Sequence, residues 1–373
     1  MEICIVSQKP KYWGGKYWGG GSVSTNTLAD ALEMRGHDIT FAESPKEIDN
    51  PDIVLHTNIK YLVQTQRICE KKNLPLVITP NSFISCCNGS HVVNKDPKYG
   101  ASCEKCSLWG TVNCFVRDRM NAQRPLKTRI FDCITPLPRY ALRYMRMNAL
   151  NKADKVICIS PTDKKMLKIA GVKDEKMIVI PQPVDSSFLE KPDVQLFDEK
   201  VCLFAGGVSW IKGGHVATEA VSKLDDVKLV FVGGVRTLKP YIEKTLGDRA
   251  IFVGVVPAGE MKNYYYSAHV VLFPSIWFEA FGRGWAEACM CGKPVVAFND
   301  RGGASDYLKH EETALLSDYD VDAYAEQIQQ LFDDDALYRR ISSNAQECAK
   351  RNFLADVVAK KYEKVFEEVL NER

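Results

Sequence analysis

Residues 274–298 read PSIWFEAFGRGWAEACMCGKPVVAF. An apolar run, VVLF at 270–273, precedes them, and they end in another, VVAF at 295–298. Each run is short, continuous and bounded by turn residues, as expected of a strand buried on both faces. Between them lie a loop, WFEAFG, and a helix-period stretch predicted to start near Arg283. Strand, loop, helix and strand in that order predict a parallel pair joined by a crossover helix. Two carboxylates punctuate the unit, Glu279 in the loop and Glu287 a little over one turn into the helix. Gly282 sits where the backbone would approach a ligand closely, just before a helix start whose first N–H groups have no intrahelical partner.

The same alternation runs outward in both directions. EICIVSQ, DITFAES, IVLHTN, LPLVITPN and KVICISP read as strands in the first half, and VCLFAGG, VKLVFVGG and AIFVGVV in the second. Helix-period segments such as VSTNTLADALEMRG and YAEQIQQLFDDDALYRRISSNA separate them. Each half opens with a strand feeding a glycine-rich turn, WGGKYWGGG in one and GGVSWIKGG in the other. VIPQPVDSSFLEKPDVQLFDEK, with three prolines and no periodicity, reads as a linker. The expected fold is α/β: two Rossmann-like, doubly wound domains facing a central cleft. The first spans 1–185, carries a cysteine-containing insertion over about 86–135 and is completed by an amphipathic helix at 354–373; the second spans 190–350.

Composition bounds the function. A chain of 373 residues suits two domains of ordinary size. Hydrophobic residues at 46% and charged residues at 26% describe a globular protein. A net charge of +2 gives no electrostatic footprint for nucleic acid, so no nucleic-acid partner is expected. MEICIVSQKPKY reads as a first strand rather than a signal peptide, and no apolar run nears the roughly 18–20 residues that cross a bilayer. Thirteen cysteines, odd in number and several within strand-like runs, fit a reducing compartment with buried thiols. A cytoplasmic protein is expected, at most peripheral to the inner face of the cell membrane.

The chemistry concentrates at the turns. Neither glycine-rich turn is the G-x-G-x-x-G dinucleotide fingerprint. Both offer backbone N–H groups at a helix start, where the dipole favours an anion, and Lys212 adds a positive charge where a diphosphate would sit. A tight turn with a solvated lysine is the plainer reading. A carboxylate at Glu287 suits a vicinal diol such as a ribose, and Glu279 would face the far end of a nucleotide-diphosphate, where the transferred group hangs. Glutamates at this spacing also describe two solvated side chains; the glycines and the preceding strand favour the ligand.

These blocks together resemble the family 4 retaining glycosyltransferases of the GT-B fold, which are marked by E-x7-E. Glu279 and Glu287 match that motif within PSxxxEAFGxxxxEAxxCGxPVVA. LADALEMRGHDIT, KVICISPTDKKML, IVIPQPVD and RGGASDYLKHEETALL match other blocks in the family's order, and Gly19 and Gly20 stand at its first glycine pair. The resemblance implies transfer of a hexose-type sugar from a nucleotide-diphosphate sugar, a UDP- or GDP-sugar, to a hydroxyl acceptor. It implies catalytic roles for Glu279, Lys212, Arg283 and Asn81. It further implies donor contacts at Glu287, Gly206, Gly207, Phe281, Gly282, Gly19, Gly20 and Val255, the last through backbone groups at the base. No cofactor beyond the donor is required.

This sequence departs from the pattern in several places. Gly207 stands where many members have the arginine of Arg-x4-Lys, with Arg283 as the expected substitute. Asn81 stands where a histidine is frequent, Gln182-Pro183 replaces an asparagine-glycine, and Asp306 replaces a glutamate. A GT-B nucleotide-sugar epimerase and a weakly active or inactive sugar-nucleotide-binding protein are the alternatives.

Two segments stand apart. The insertion holds Cys86, Cys87, Cys103, Cys106 and Cys114. Cys103, Cys106, Cys114 and Cys87 form a candidate structural zinc or iron–sulfur site, with free thiols as the alternative. Residues 115–152 are rich in arginine and interleaved with Tyr140, Leu142, Tyr144 and Met145. That pattern fits contact with an anionic membrane surface, or an ordinary helix with a solvated basic side.

Overall fold

The computed structural model describes residues 1–7, 20–82, 84, 92–93, 101–102, 107–111, 136–235 and 237–373. The chain divides into two compact units. The first comprises 1–9, 28–181 and 359–373, and the second 10–27 and 182–358. Residues 20–27 therefore group with the second unit, although a boundary at 185 would give them to the first.

In the first unit six strands form one parallel sheet: β1 (Glu2–Val6), β2 (Asp38–Ala42), β3 (Ile53–His56), β4 (Leu76–Ile78), β7 (Lys155–Cys158) and β8 (Met177–Val179). A short antiparallel pair, β5 (Val92–Val93) and β6 (Ala101–Ser102), lies between β4 and β7 in sequence. The sheet order is β2-β1-β3-β4-β7-β8, so the winding reverses between β1 and β3. Strand residues such as Ile3, Ile5, Val54, Leu55, Val77 and Ile157 are fully buried, which is why these runs are apolar without alternation. Helix starts obey local rules. Ser160 accepts a hydrogen bond from Asp163 N, with Pro161 at the first helical position. The C-terminal helix Ala355–Asn371 buries Tyr362, Val365, Phe366 and Val369 at helical spacing. Glu363 on that helix accepts from Arg35 Nε and pairs with His37 Nε2, each at 2.8 Å. Arg373 reaches Asp154 at 3.1 Å, so the helix is tied along its length.

The second unit is a second six-stranded parallel sheet: β9 (Lys200–Ala205), β10 (Val227–Val232), β11 (Ala250–Gly254), β12 (Val270–Phe273), β13 (Val295–Phe298) and β14 (Leu315–Ser317). Its order is β11-β10-β9-β12-β13-β14, with the reversal between β9 and β12. Strand order of this kind opens a crevice beyond the carboxyl ends of the strands at the reversal. The core gathers Phe204, Phe231, Val216, Ile242, Phe298, Tyr324 and Ile328 from the sheet and its covering helices. Asp320 and Asp334 cap the two helices that follow β14, Val321–Asp333 and Asp335–Phe353.

The stretch expected to be a featureless linker is partly built. Asp185 caps a short turn of 3₁₀ helix, Ser186–Leu189, and buries Phe188 against Tyr265, with ring centroids 6.0 Å apart. The prolines suppress periodicity, but the turn still folds because Asp185 satisfies Ser187 N at 2.8 Å.

Candidate functional site

A cavity of about 820 Å³ lies at the carboxyl ends of β9, β10 and β11, built wholly from the second unit. Its floor is the glycine-rich turn after β9, Gly206 to Ser209, with Val232–Gly234 beyond β10 and Val255–Val256 beyond β11. Two tight backbone approaches depend on glycine here, at Gly233 in the floor and at Gly213 beside Lys212. Gly213 has φ +74, and a Cβ there would lie 1.8 Å from the Pro274 carbonyl oxygen. Gly233 has φ +138, and a Cβ there would lie 2.0 Å from the Gly206 oxygen. Only glycine permits these two backbone approaches.

Lys212 lines the cavity just before the helix Gly214–Ser222, whose N-cap is Gly213. Its ammonium is ion-paired with Glu279 and lies 4.7 Å from the centroid of the Trp277 ring. Glu279 is 6% exposed and also accepts from Ser275 Oγ at 3.1 Å. Its backbone is pinned on both sides, N to Arg301 O at 3.0 Å and O to Gly303 N at 2.9 Å. Glu279 is thus placed beside Lys212, a residue of the cavity lining.

The helix starts at Arg283, as its sequence predicts, with Gly282 (φ +82) as its N-cap. Arg283, Gly284 and Glu287 line the cavity. The Arg283 side chain is nearly buried and its donors point inward. Nε donates to Glu287 Oε1 at 3.0 Å, while Nη1 donates to Ser24 Oγ and to Pro183 O, each at 2.8 Å. These three acceptors hold Nε and Nη1, while Nη2 lies 3.0 Å from Glu287 Oε1 without a hydrogen bond, so Arg283 keeps a donor at the cavity it lines. Glu287 Oε2 accepts from the Tyr265 hydroxyl at 2.9 Å. Burial first, then the Glu287 carboxylate, pushes the Tyr265 phenol well above its ordinary value, so the hydroxyl stays a donor.

The remaining expected residues fall into four groups. Gly20, Gly206, Gly207 and Val255 line the cavity. Phe281 is 1% exposed and packs edge-on against Tyr307 and Phe353, and Gly282 carries the helix cap; both shape the loop from behind. Asn81 belongs to the first unit, where its amide donates to Thr57 O at 2.8 Å. Gly19 and the four cysteines Cys87, Cys103, Cys106 and Cys114 lie outside the described residues. Among the described residues, no three His, Cys, Asp or Glu side chains gather as a metal ion would need. The described cysteines are free; burial pushes the Cys69 thiol up to about 12 and raises those of Cys158, Cys202, Cys289 and Cys291 as well. No described helix is long and apolar enough to cross a membrane.

Sequence reasoning missed several wall residues. Tyr265 sits in the run KNYYYS, Val23 and Thr27 in a helix of small residues, and Asp185, Ser187 and Phe188 in the supposed linker. A signal for Tyr265 existed: only one of three successive tyrosines in a helix beside a buried strand can face inward, and Tyr265 is fully buried.

The comparisons with known proteins agree with this layout. Residues 42–188 match the model described as Glycosyltransferase Family 4, and residues 188–348 the one described as Glycosyl transferases group 1. A putative glycosyltransferase of Bacillus subtilis, YtcC, is 31% identical over 194 residues, covering 46% of this chain and 46% of that protein. A D-inositol 3-phosphate glycosyltransferase of Xylanimonas cellulosilytica is 32% identical over 163 residues, covering 41% of this chain and 39% of its own. The chain thus spans under half the length of these curated relatives. Among solved structures, Anabaena Alr3699/HepE in complex with UDP superposes with a TM-score of 0.70 at 18% identity, covering 99% of this chain and 100% of that one. Sucrose-phosphate synthase from Thermosynechococcus elongatus gives 0.72 at 20% identity, covering 100% and 99%. At such identities the structures speak for the fold alone, which is GT-B. With two family models lying end to end along the sequence, the chain belongs to the group 1, family 4 glycosyltransferases.

Proposed function

We propose that this protein is a retaining glycosyltransferase that moves a hexose-type sugar from a nucleotide-diphosphate sugar to a hydroxyl acceptor. The observation that carries this reading is the cavity at the ends of β9–β11, where a glycine floor, a lysine and a braced carboxylate converge. Its volume falls within the range of about 300–1,000 Å³ usual for small-molecule sites. Glu287 takes the ribose diol, Lys212 the diphosphate, and Val255 and its neighbours offer backbone groups to the base. Gly206 and Gly207 let the phosphates approach the main chain. The bond between the anomeric carbon and the diphosphate oxygen breaks with its electron pair going to the phosphate. Lys212 and the first-turn N–H groups of the helix Gly214–Ser222 take up that charge. The acceptor oxygen bonds to the anomeric carbon on the face the diphosphate leaves, and its proton passes to the departing oxygen. Glu279, paired with Lys212, holds the ammonium in register.

HepE was crystallised with UDP, which makes uridine diphosphate the first nucleotide to try. The experiment is a thermal-shift series with UDP, GDP, ADP and their sugars, followed by proton NMR of the product's anomeric coupling. Stabilisation by one nucleotide and a product of retained configuration uphold the proposal. No stabilisation by any of them sinks it. Product formed without an acceptor marks an epimerase instead, and binding without turnover a binding protein.

A further inference from the structure

A carboxylate that grips a diol must present free lone pairs in a fixed direction. Glu287 is held at both oxygens: Oε1 by Arg283 and Oε2 by the hydroxyl of Tyr265. Each carboxylate oxygen has two acceptor positions; Arg283 Nε and Nη2 both lie 3.0 Å from Oε1, whereas Oε2 meets Tyr265 alone and keeps one position for a ligand. The two braces come from different directions. Arg283 is on the same helix, one turn back, and is itself fixed to Ser24 and Pro183. Tyr265 comes from the helix Met261–Ser267, with its ring fully buried and packed against Phe188. A single brace leaves the carboxylate free to rotate about its terminal bond. Two braces lock it.

We propose that Tyr265 is a positioning residue that sets the rotation of the Glu287 carboxylate, and thereby this protein's preference for ribonucleotides over 2′-deoxyribonucleotides. The inference rests on the reading that Glu287 meets the ribose. Because its phenol is pushed above its ordinary value, the Tyr265 hydroxyl stays protonated at neutral pH and donates to Glu287. Removing the hydroxyl leaves Oε2 with a free acceptor position and the carboxylate with a free torsion. Binding of the ribose form then weakens, while the 2′-deoxy form, which has no second hydroxyl to lose, is little affected.

The test measures affinities of the full chain by calorimetry for UDP, GDP and ADP, then for the 2′-deoxy counterpart of whichever binds. Wild-type protein prefers the ribose form by about tenfold or more, the value of a hydrogen bond to a charged group. Tyr265→Phe, which keeps the ring against Phe188, contracts that ratio severalfold through the ribose form alone. In a Glu287→Ala background the same substitution changes the ratio no further. A ratio unchanged in Tyr265→Phe, or equal loss for both sugars, overturns the inference while leaving the function standing. A ribose preference that survives Glu287→Ala overturns the assignment of Glu287 itself. Absence of any nucleoside diphosphate binding by wild type refutes the proposed function. Melting temperatures of both variants within a few degrees of wild type keep the comparison free of unfolding.

Discussion

The two six-stranded sheets share parallel strands and buried apolar runs, yet their carboxyl ends are furnished in opposite ways. In the second unit, β9, β10 and β11 end in glycines, and the chain leaves a cavity with a lysine and a braced glutamate on its wall. In the first unit, β3 ends in His56, fully buried, with Thr57 N donating to Val6 O and Asn81 donating to Thr57 O. Burial pulls the His56 imidazole down to about 4, against a hydrogen bond with the Asn58 backbone that pushes the other way. The strands β9 and β10 run on into glycines, whereas β3 stops on a buried imidazole. A shared scaffold leaves such differences to a handful of turn positions.

The contrast can be broken at its glycines first. Gly213→Ala forces a Cβ against Pro274 O in a left-handed backbone and should cost the second unit about 3–5 kcal/mol. Hydrogen exchange read peptide by peptide should show protection lost in 182–358 and largely kept in 28–181. Equal loss in both would mean the units do not stand apart energetically.

Acid should act on the other unit. His56 has a folded pKa of about 4, below its ordinary 6.5, so its neutral form stabilises fully above about pH 6.5. That contribution is lost as pH falls toward 4, about 3 kcal/mol in all. Urea midpoints at pH 7.5 and 4.5 should converge in His56→Asn relative to wild type, and parallel slopes would discard the assignment.

A smaller effect sharpens the cavity. Gly207 has ordinary φ and open space where a side chain would go. Gly207→Arg should tighten nucleoside diphosphate binding by about tenfold through a charge-assisted contact, measured by calorimetry. Unchanged affinity would place the diphosphate elsewhere. Smallest of all, Lys350→Ala removes an exposed pair with Glu347 and should leave Tm unaltered in a thermal melt.

Most of the fold could be read from residue order, because buried parallel strands leave continuous Val, Ile, Leu and Phe runs, as in VCLF and VKLVFV. Capping residues such as Ser160 and Asp320 mark helix starts just as plainly. The cavity was legible in part: Lys212, Glu287, Gly206 and Gly207 stand on local motifs, while Val255 followed only from the family resemblance. What escaped depends on tertiary approach. Arg283 meets Ser24 across 259 positions and Pro183 across 100, and Tyr265 meets Glu287 across 22 from a different helix. No local period encodes such meetings. The backbone bridge of Glu279 to Gly302 is another such meeting that no spacing announces.

The glycines in and beside the cavity also fall into two kinds with different evolutionary fates. At Gly213 and Gly233 a Cβ would run into a carbonyl oxygen, so neither can become another residue without a shift of the turn. Gly207, Gly234 and Gly259 face open space with ordinary backbone angles. Natural variation and directed evolution alike can therefore repaint the lining at those three places, one substitution at a time, and so retune which donor is accepted while the frame stays intact.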